Sequence, residues 1–463
     1  MSMTRKKIDM EQNDWRRAPR VAQHWRPIDG TDRVECTLSP RHCKIGNGQS
    51  GFCGVRRNID GTLYSDNYGQ AVAAAEEVIE TEAIYHYRPG ARILSMGNIG
   101  CMMSCRFCQN WTTSQVKHLD TRVIQPMSPT EVIDIAQQHE IEVISWTYND
   151  PVVWHEFVME TSRLAQAANI RTLFKSALYI EAEPLQELLD VIDIWSVSLK
   201  SLDATFYKKI TAATLGPVLD RIREIYATTR HLEISQLLVT GLNDNEDAIR
   251  KTVDWHLENL DQDVPLHFVR FHPAFRYLDV ERTPKAIMRR AVEIAREAGI
   301  RFVYLGNLLE SGVSDTHCSN CSEVLVERYG LTTRILGIND NECCASCGAP
   351  APIVEPNSAK NRSSCSVDAA WQETTVEVQH EWSDEASSIH IQSQVSDPDS
   401  VTVIVKHGDS ADLDYFQVGG NLTRALINRR SEDEKRISLW WPAASNIQVT
   451  PVFDRAHLYT GDN

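Results

Sequence analysis

The chain has 463 residues, 42% of them hydrophobic, and a formal net charge of −16. This length predicts about two or three domains, and the acidic balance argues against a nucleic-acid partner, whose phosphates require a basic surface. No apolar run approaches the ~20 residues of a membrane helix, and the basic, polar start of the chain lacks the apolar centre of a secretion signal. We therefore expect a cytoplasmic protein with no membrane partner, in which thiols stay reduced.

The first part of the chain is predicted to form an extension and an α/β domain. Residues 1–33 are expected to be irregular, and residues 34–90 form a segment that contains three cysteines. Residues 91–315 alternate apolar strands with amphipathic helices, which is typical of a parallel sheet of βαβ units. The strands are predicted within ARILSMG, EVISWTY, RTLFKSA, VIDIWSVSLK, LEISQLLVTG, LHFVRFH and RFVYLGN. The helical stretches include SPTEVIDIAQQHE, VVWHEFVMETSRLAQAAN, LGPVLDRIREIYATTR and RTPKAIMRRAVEIAREAG.

The second part of the chain is predicted to contain two smaller units. Residues 316–352 form a compact cysteine-rich module, and residues 353–370 are rich in Pro, Ser and Asn, which is typical of a linker. Residues 371–463 contain short alternating runs that predict a small all-β domain. This last domain is acidic, with 15 acidic and 7 basic residues.

The twelve cysteines indicate metal sites rather than disulfides, because the expected compartment is reducing. Eleven of them fall into three groups along the chain. The remaining one, Cys365, lies in the predicted linker and is expected to be an idle thiol.

The central group, Cys101, Cys105 and Cys108, has the spacing C-x3-C-x2-C directly after a predicted strand. Three thiolates leave one iron of a 4Fe-4S cluster without a protein ligand, and that open position can bind the amino and carboxylate groups of S-adenosylmethionine (SAM). A structural zinc site would instead need a fourth ligand close by, and His118 follows no common zinc spacing. Phe107 also matches the usual radical SAM form C-x3-C-x-aromatic-C. The triplet therefore predicts a radical SAM enzyme.

The C-terminal group forms C-x2-C-x22-C-x2-C, through Cys318, Cys321, Cys344 and Cys347. Two such pairs suit tetrahedral zinc or a single iron, and because protein fills all four positions a structural role is expected. An auxiliary iron–sulfur cluster that relays electrons is the alternative. Cys343 adjoins Cys344, but only Cys344 gives the paired spacing.

The N-terminal group, Cys36, Cys43 and Cys53, has looser spacing. Metal binding there would require a further ligand, for which His42 is a candidate. Free buried cysteines are the other interpretation.

Several motifs in order make the chain resemble the AmmeMemoRadiSam family over residues 34–352. They are VECTLSPRHCKI, GFCGVRRNIDGTLYS, GNIGCMMSCRFCQNW, WTYNDP, LKSLDATFY, TGLNDNEDAI, RFHPAF, YLGN and the paired C-x2-C. This family is related to pyruvate formate-lyase activating enzymes. The resemblance implies a partial (β/α)6 TIM-like radical SAM barrel with a 4Fe-4S cluster and SAM as cofactors. Because the cluster must be reduced, we also expect an electron donor, either a flavodoxin- or ferredoxin-type reductant or a reductase.

The resemblance also implies a set of SAM-binding positions. Tyr148, Asn149 and Asp150 take the place of the motif that receives the methionyl amino group. The remaining positions are Ser198, Lys200, Gly241, Asn243, Asp244 and His272. Lys200 would face the SAM carboxylate, His272 would line the SAM pocket, and the turn with Gly241 would support the adenine.

Each of these positions has a plainer interpretation. Asn149 and Asp150 precede a proline and are able to form a turn that caps the next helix. Lys200 would then be a solvated side chain and His272 a hydrogen-bonded core residue.

The chain departs from the family at several strand ends. Lys175, Ser176 and Ala177 replace Thr-Asn-Gly, Ser198 replaces an acid and Ser39 replaces a cysteine. Because such changes alter the pocket that faces the substrate, we expect a divergent specificity.

Three functions remain open from the sequence. The first is hydrogen abstraction from a small polar metabolite, such as a sugar or aminoglycoside whose diol is dehydrated, since an acidic protein tolerates a cationic substrate. The second is an activase that installs a glycyl radical on a partner protein. The third, a non-catalytic metal scaffold, is disfavoured by the complete triplet.

Overall fold

The computed structural model describes residues 15–16, 19–308 and 310–356 and seven C-terminal strand segments. These segments are 375–382, 388–393, 401–407, 413–418, 424–428, 435–442 and 447–452. Cys365 lies outside the described residues.

A parallel sheet forms the centre of the molecule and confirms the predicted α/β class. Its strands pair in chain order, so that each βαβ unit adds one strand at the growing edge. They are β1 (Arg92–Gly97), β2 (Val143–Thr147), β3 (Arg171–Ser176), β4 (Ile194–Leu199), β5 (His231–Leu238), β6 (Leu266–Arg270) and β7 (Val303–Gly306). In the described part of the chain β7 and β1 do not pair, so the barrel is partial, as expected.

Six helices cover the outer face of this sheet. They are α1 (Pro129–Gln138), α2 (His155–Ala167), α3 (Ala182–Leu189), α4 (Leu215–Tyr226), α5 (Glu246–Asn259) and α6 (Lys285–Ala298). Local sequence sets their ends: Ser128 and Glu131 form a capping box on α1, and Gly299 ends α6 at φ 112°. None of the helices in the described residues is long and apolar enough to cross a bilayer.

An antiparallel strand, Ala73–Val78, covers the free side of β1 and leads into a segment that fills the bottom of the barrel. This floor segment, residues 79–87, is buried apart from Ala83. Glu233 on β5 holds it, because the carboxylate accepts the backbone N–H groups of Tyr85 and His86 at 2.8–3.0 Å. His231 and His267 contact the same carboxylate at 2.8 and 2.7 Å. The floor segment is therefore bound to the interior of the sheet.

Short strands surround the barrel. On the N-terminal side they are Arg20–Val21, Trp25–Pro27, Val34–Cys36, Lys44–Ile45, Arg56–Ile59, Thr62–Ser65 and Gln70–Ala71, the last of which pairs with Gln125–Pro126. The cysteine-rich module is a sheet of Thr316–His317, Val324–Tyr329 and Thr332–Ile335. The start of the predicted linker packs on the barrel, since Val354 exchanges backbone hydrogen bonds with His86 and Arg88.

The C-terminal strands form an all-β unit with Trp382 and Trp441 in its core. One sheet contains Thr375–Glu381, Val401–His407, Leu413–Val418 and Arg436–Pro442. Three more strands, Ser388–Ser393, Arg424–Asn428 and Ile447–Val452, pair with one another, and Arg424–Asn428 adds to the strand Ala73–Val78.

The Glu233 contacts predict a pH-dependent stability. Burial opposes ionisation, but the hydrogen bonds from His231 and His267 outweigh it and hold the pKa of Glu233 well below its usual value. We expect Glu233→Gln to lower the free energy of unfolding by about 2–3 kcal/mol at pH 7. The ionised Glu233 carboxylate is the form that accepts these hydrogen bonds. The difference in unfolding free energy between wild type and Glu233→Gln therefore narrows as the pH falls below ~4.3, where the carboxylate of the unfolded chain takes up its proton.

Urea unfolding between about pH 3 and pH 8 measures this difference. Glu297→Gln is the control, because that side chain is 61% exposed and should change stability by less than ~0.5 kcal/mol. A difference that stays constant down to the lowest pH would contradict the assignment.

Candidate active site

A cavity of about 330 Å³ opens at the C-terminal ends of the parallel strands. Six strands contribute a last or penultimate residue to its lining: Thr147, Ser176, Ser198, Leu237, Arg270 and Gly306. This volume is in the range of ligand pockets, about 300–1,000 Å³, and the strand ends are where barrels of this type place their chemistry.

The cysteine triplet lies in the loop that follows β1, and Cys101, Cys105 and Cys108 all line the cavity. The loop begins at Gly100, whose φ of +87° places it against the carbonyl oxygen of Cys53. Backbone hydrogen bonds from Ser104 to Thr211 and from Arg106 to Ile210 fix its other side. The loop conformation thus depends on contacts from distant parts of the chain.

The three thiols of the triplet differ in arrangement from the four cysteines of the C-terminal module. They are not among the groups of described residues whose ligand atoms converge on one metal position, as sulfurs bound to one tetrahedral zinc would. This arrangement favours a multinuclear cluster over a single ion. Burial raises the pKa of the Cys105 thiol to about 12, and the charge of Lys200 works in the opposite direction, so a metal is needed to stabilise the thiolates.

Asp150 is a buried carboxylate of the cavity, next to the end of β2. Its oxygens accept hydrogen bonds from the Ser176 hydroxyl and the Ala177 N–H, each at 2.8 Å, and from the Val152 N–H at 3.3 Å. Burial raises its pKa, and these donors partly offset the effect. Asp150 therefore both caps the turn before α2, as the plainer interpretation has it, and faces the cavity.

The neighbours of Asp150 face the cavity too, and hydrogen bonds tie them to other segments. The Asn149 amide donates to the Asn98 carbonyl and accepts from the Thr113 hydroxyl. Tyr148 adopts a φ of 67°, and its carbonyl accepts a hydrogen bond from Asn110 at 2.6 Å. These contacts hold the segment against the loop that follows β1.

Lys200 follows β4 and lines the cavity together with Ser198. The carbonyl of Lys200 accepts a hydrogen bond from Asn243 at 2.8 Å, and its N–H donates to the Tyr207 hydroxyl at 3.2 Å. In the described residues no carboxylate lies within 4.0 Å of its ammonium group. Lys200 is thus a cation held at the cavity by its backbone.

The other positions that the resemblance implies do not line the cavity. Asn243 closes the turn after β5, since its side chain bonds Val239, Leu237 and Lys200. Gly241 donates to Asp244 within that turn. His272 accepts a hydrogen bond from Arg282 at 2.8 Å, and Arg282 rather than His272 faces the cavity.

Four cations of the cavity were not anticipated from the sequence: Arg270, Arg282, Lys285 and Arg328. Arg270 ends β6 and donates to the Thr283 carbonyl at 2.8 Å, two residues before Lys285. These two cations therefore border the same part of the cavity. The position of Arg270 at the end of a predicted strand could have indicated that it lines the cavity. No local feature of the sequence indicated the same for Lys285.

Lys175, at a position that departs from the family, also faces the cavity. Its ammonium lies 3.5 Å from the Glu82 carboxylate, which is fully buried in the floor segment. The Thr147 hydroxyl donates to the same carboxylate at 2.9 Å. The replacement thus adds a cation and ties the cavity wall to its floor.

The four cysteines of the C-terminal module converge on one point. Their sulfur atoms all lie within 4.8 Å of one another, and the pairs Cys318–Cys347 and Cys321–Cys344 are 3.6 Å apart. This is close to the ~3.8 Å expected around tetrahedral zinc. Cys343 points elsewhere, because its thiol donates to the Asn341 carbonyl.

The N-terminal cysteines surround a much smaller cavity, of about 20 Å³, together with Ser39. Cys36, Cys43 and Cys53 do not converge as closely as the C-terminal four. The His42 ring lies between the carboxylates of Glu35 and Glu181, at 3.2 and 3.0 Å. It does not line the cavity of the cysteines.

Known proteins share these features in part. A model of the Radical SAM superfamily matches residues 98–256, which include the triplet. The uncharacterized protein MJ0808 of Methanocaldococcus jannaschii is 34% identical over 336 residues, 72% of this chain and 99% of the relative. The (2S)-3-sulfopropanediol dehydratase activating enzyme of Klebsiella oxytoca is 24% identical over 111 residues, 24% of this chain and 35% of that enzyme. A solved domain of the pyruvate-formate lyase-activating enzyme of Bacteroides vulgatus covers 35% of this chain and 97% of its own, with 15% identity and a TM-score of 0.31.

The contacts of Gly100 predict a sensitive position. A Cβ atom there would lie 2.7 Å from the Cys53 carbonyl oxygen, and the positive φ adds strain of about 1–3 kcal/mol. We expect Gly100→Ala to lower the thermal midpoint and the iron and sulfide content after anaerobic reconstitution. Gly216→Ala is the matched control, since no atom lies within 4 Å of its added Cβ. Equal iron uptake by the two variants would refute the loop's dependence on this glycine.

Proposed function

Because the chain belongs to the radical SAM superfamily, we propose that it cleaves SAM reductively and abstracts hydrogen from a small polar molecule. The observation that carries this proposal is that three cysteines line one cavity at the strand ends. When bound there, a 4Fe-4S cluster supplies the electron that breaks a C–S bond of SAM and yields methionine and a 5′-deoxyadenosyl radical.

Two residues of the cavity suit the charged groups of SAM. Lys200 offers an ammonium for the carboxylate, and the carboxylate of Asp150 is the acceptor for the amino group. Both lie close enough to the triplet to affect its thiols, since Lys200 lowers and Asp150 raises the pKa of Cys105. In this proposal the two side chains would bind the charged ends of SAM and orient it beside the triplet.

The charge of the cavity favours an anionic substrate. Six cations line it, against three acids. Two acids are already paired, Glu80 with Arg328 and Glu310 with Arg289. After Lys200 is assigned to SAM, Arg270 and Lys285 remain for a substrate phosphate, sulfonate or carboxylate. This argues against a cationic aminoglycoside, which was supported only by the acidic net charge of the whole chain.

A second candidate is the activation of a glycyl-radical protein. It is favoured by the names of two relatives, the (2S)-3-sulfopropanediol dehydratase activating enzyme and the 4-hydroxyphenylacetate decarboxylase activating enzyme. These matches cover 24% and 28% of this chain. A cavity of about 330 Å³ that must also hold SAM supports the smaller substrate.

Two further components belong to this proposal: an electron donor for the cluster and a metal ion at the four-cysteine site. We propose that a flavodoxin- or ferredoxin-type donor in the cytoplasm reduces the cluster, because the described residues contain no second cysteine set at the cavity. The four-cysteine site would hold a structural zinc or iron ion, supported by its closed set of four sulfurs.

The first test is SAM cleavage by the anaerobically reconstituted, dithionite-reduced chain. We expect 5′-deoxyadenosine from the wild type and none from Cys105→Ala, because the two thiolates that remain in the variant do not suffice to hold the cluster. Cys343→Ser is the control, since its thiol points away from both metal sets, and it should keep the wild-type rate. Metal analysis of Cys105→Ala also shows whether the remaining ion is zinc or iron. A wild type with a SAM-responsive cluster and no deoxyadenosine would refute the proposal.

The second test concerns the substrate charge. Pairs of deuterated polyols that differ only in a phosphate or an amino group are compared for their stimulation of deoxyadenosine formation and for deuterium transfer. We expect the phosphorylated member to stimulate, and Arg270→Met or Lys285→Met to raise the required concentration about tenfold, the effect of ~1.4 kcal/mol. Lys251→Met on α5 is the control, as an exposed lysine away from the cavity. Stronger stimulation by the amino member of a pair would exclude an anionic substrate. A glycyl radical on a protein, detected in an EPR spectrum, would establish the activase function instead.

A further inference from the structure

A further cluster of potential metal ligands lies outside the active-site cavity and is distinct from the cysteine triplet and the four C-terminal cysteines. It consists of His24, in the N-terminal segment, His155, at the start of α2, and Glu187, on α3. The two Nε2 atoms are 3.2 Å apart, and each is 3.1 Å from Oε2 of Glu187. Three atoms from distant parts of the chain thus form a nearly equilateral triangle. None of the three residues lines the active-site cavity.

Hydrogen bonds alone do not satisfy this triangle. Glu187 is 42% exposed, so its carboxylate is ionised at neutral pH and only accepts hydrogen bonds. If both rings carry a proton on Nε2, two donors face each other across 3.2 Å. If only one ring does, the lone pair of the other faces a carboxylate oxygen at 3.1 Å. With two neutral rings, at least one of the three contacts is therefore repulsive.

A divalent metal ion at the centre removes this conflict. Two ligand atoms at 2.0–2.1 Å from a tetrahedral ion are about 3.3–3.4 Å apart, close to the 3.1–3.2 Å found here. We propose that His24, His155 and Glu187 bind one divalent first-row ion, for which zinc is the best match. Two imidazoles and a carboxylate are an established zinc ligand set, and the exposed side of Glu187 leaves room for water as a fourth ligand.

The surrounding structure holds the ligands in place before any ion binds. His24 has a φ of 53°, a conformation that a residue with a side chain adopts only when its neighbours impose it. Its neighbour Gln23 is held on both sides, since its N–H donates to Glu156 at 2.8 Å and its carbonyl accepts from Arg56. Arg56 and Glu156 form a buried ion pair at 3.0 Å. The His155 ring is fully buried.

The position of the site indicates a structural role. His24 belongs to the segment that continues into Cys36, Cys43 and Cys53, whereas His155 and Glu187 belong to the barrel helices. An ion bound to all three would fasten this segment to the barrel wall. The Nδ1 atom of His155 has no hydrogen-bond partner in the described residues. Without such a partner the affinity for metal is about 10–100-fold weaker than in a supported site.

Zinc binding to the full-length chain tests this proposal. Metal-depleted wild type, Glu187→Gln and His24→Asn are titrated with zinc, and bound zinc is counted by mass spectrometry after gel filtration. Asparagine tolerates the positive φ at position 24, and the Glu187 side chain is partly exposed, so both variants should fold, which circular dichroism checks. Glu183→Gln is the matched control, because it lies one turn earlier on α3 and is exposed. The cysteine sites are identical in all four proteins.

We expect wild type and Glu183→Gln to bind one equivalent of zinc more than Glu187→Gln and His24→Asn. Binding of this additional equivalent should raise the unfolding midpoint of wild type and Glu183→Gln only. Cobalt provides a second measurement. The difference spectrum of wild type minus Glu187→Gln should show d–d bands without a thiolate charge-transfer band. Equal zinc equivalents in all four folded proteins, or a thiolate band in the difference spectrum, would overturn the proposal.

Discussion

The carboxylate of Glu233 receives hydrogen bonds from two backbone N–H groups of the floor segment and contacts two histidine rings in the sheet interior. A buried carboxylate without such partners is costly, so the floor segment and the sheet interior stabilise each other. The same segment carries Glu82, which pairs with Lys175 at the cavity. The closed lower end of the cavity and part of its charge thus depend on one buried acid.

The upper end of the cavity depends on the N-terminal segment instead. Gly100, directly before the triplet, packs on the carbonyl of Cys53, and Arg41 donates to the carbonyls of Met102 and Ala212. The loop that carries the triplet is therefore shaped by residues that precede the barrel. An ion that fastens the N-terminal segment at His24 would act on the loop through these contacts, without touching the cavity.

The distribution of charge distinguishes the candidate active site from the rest of the chain. The formal net charge is −16, yet cations outnumber acids two to one along the cavity. A net charge sums over all residues, most of which face solvent far from the site, and Coulomb interactions between such charges are screened within about 10 Å. The charge that a substrate meets is set locally, by the cations on β3 and β6, directly after β4 and at the start of α6.

Local patterns in the sequence determined the strands, the parallel sheet and the two cysteine sets, because periodicity and ligand spacing are properties of neighbouring residues. They also placed Asp150 and Lys200 at the strand ends where the cavity forms. Only the tertiary structure decided that Asn243 closes a turn, that Arg270 and Lys285 border the same cavity, and that His24 meets His155 and Glu187. Those arrangements join residues up to 163 positions apart, and no local pattern records which distant side chains packing will bring within bonding distance.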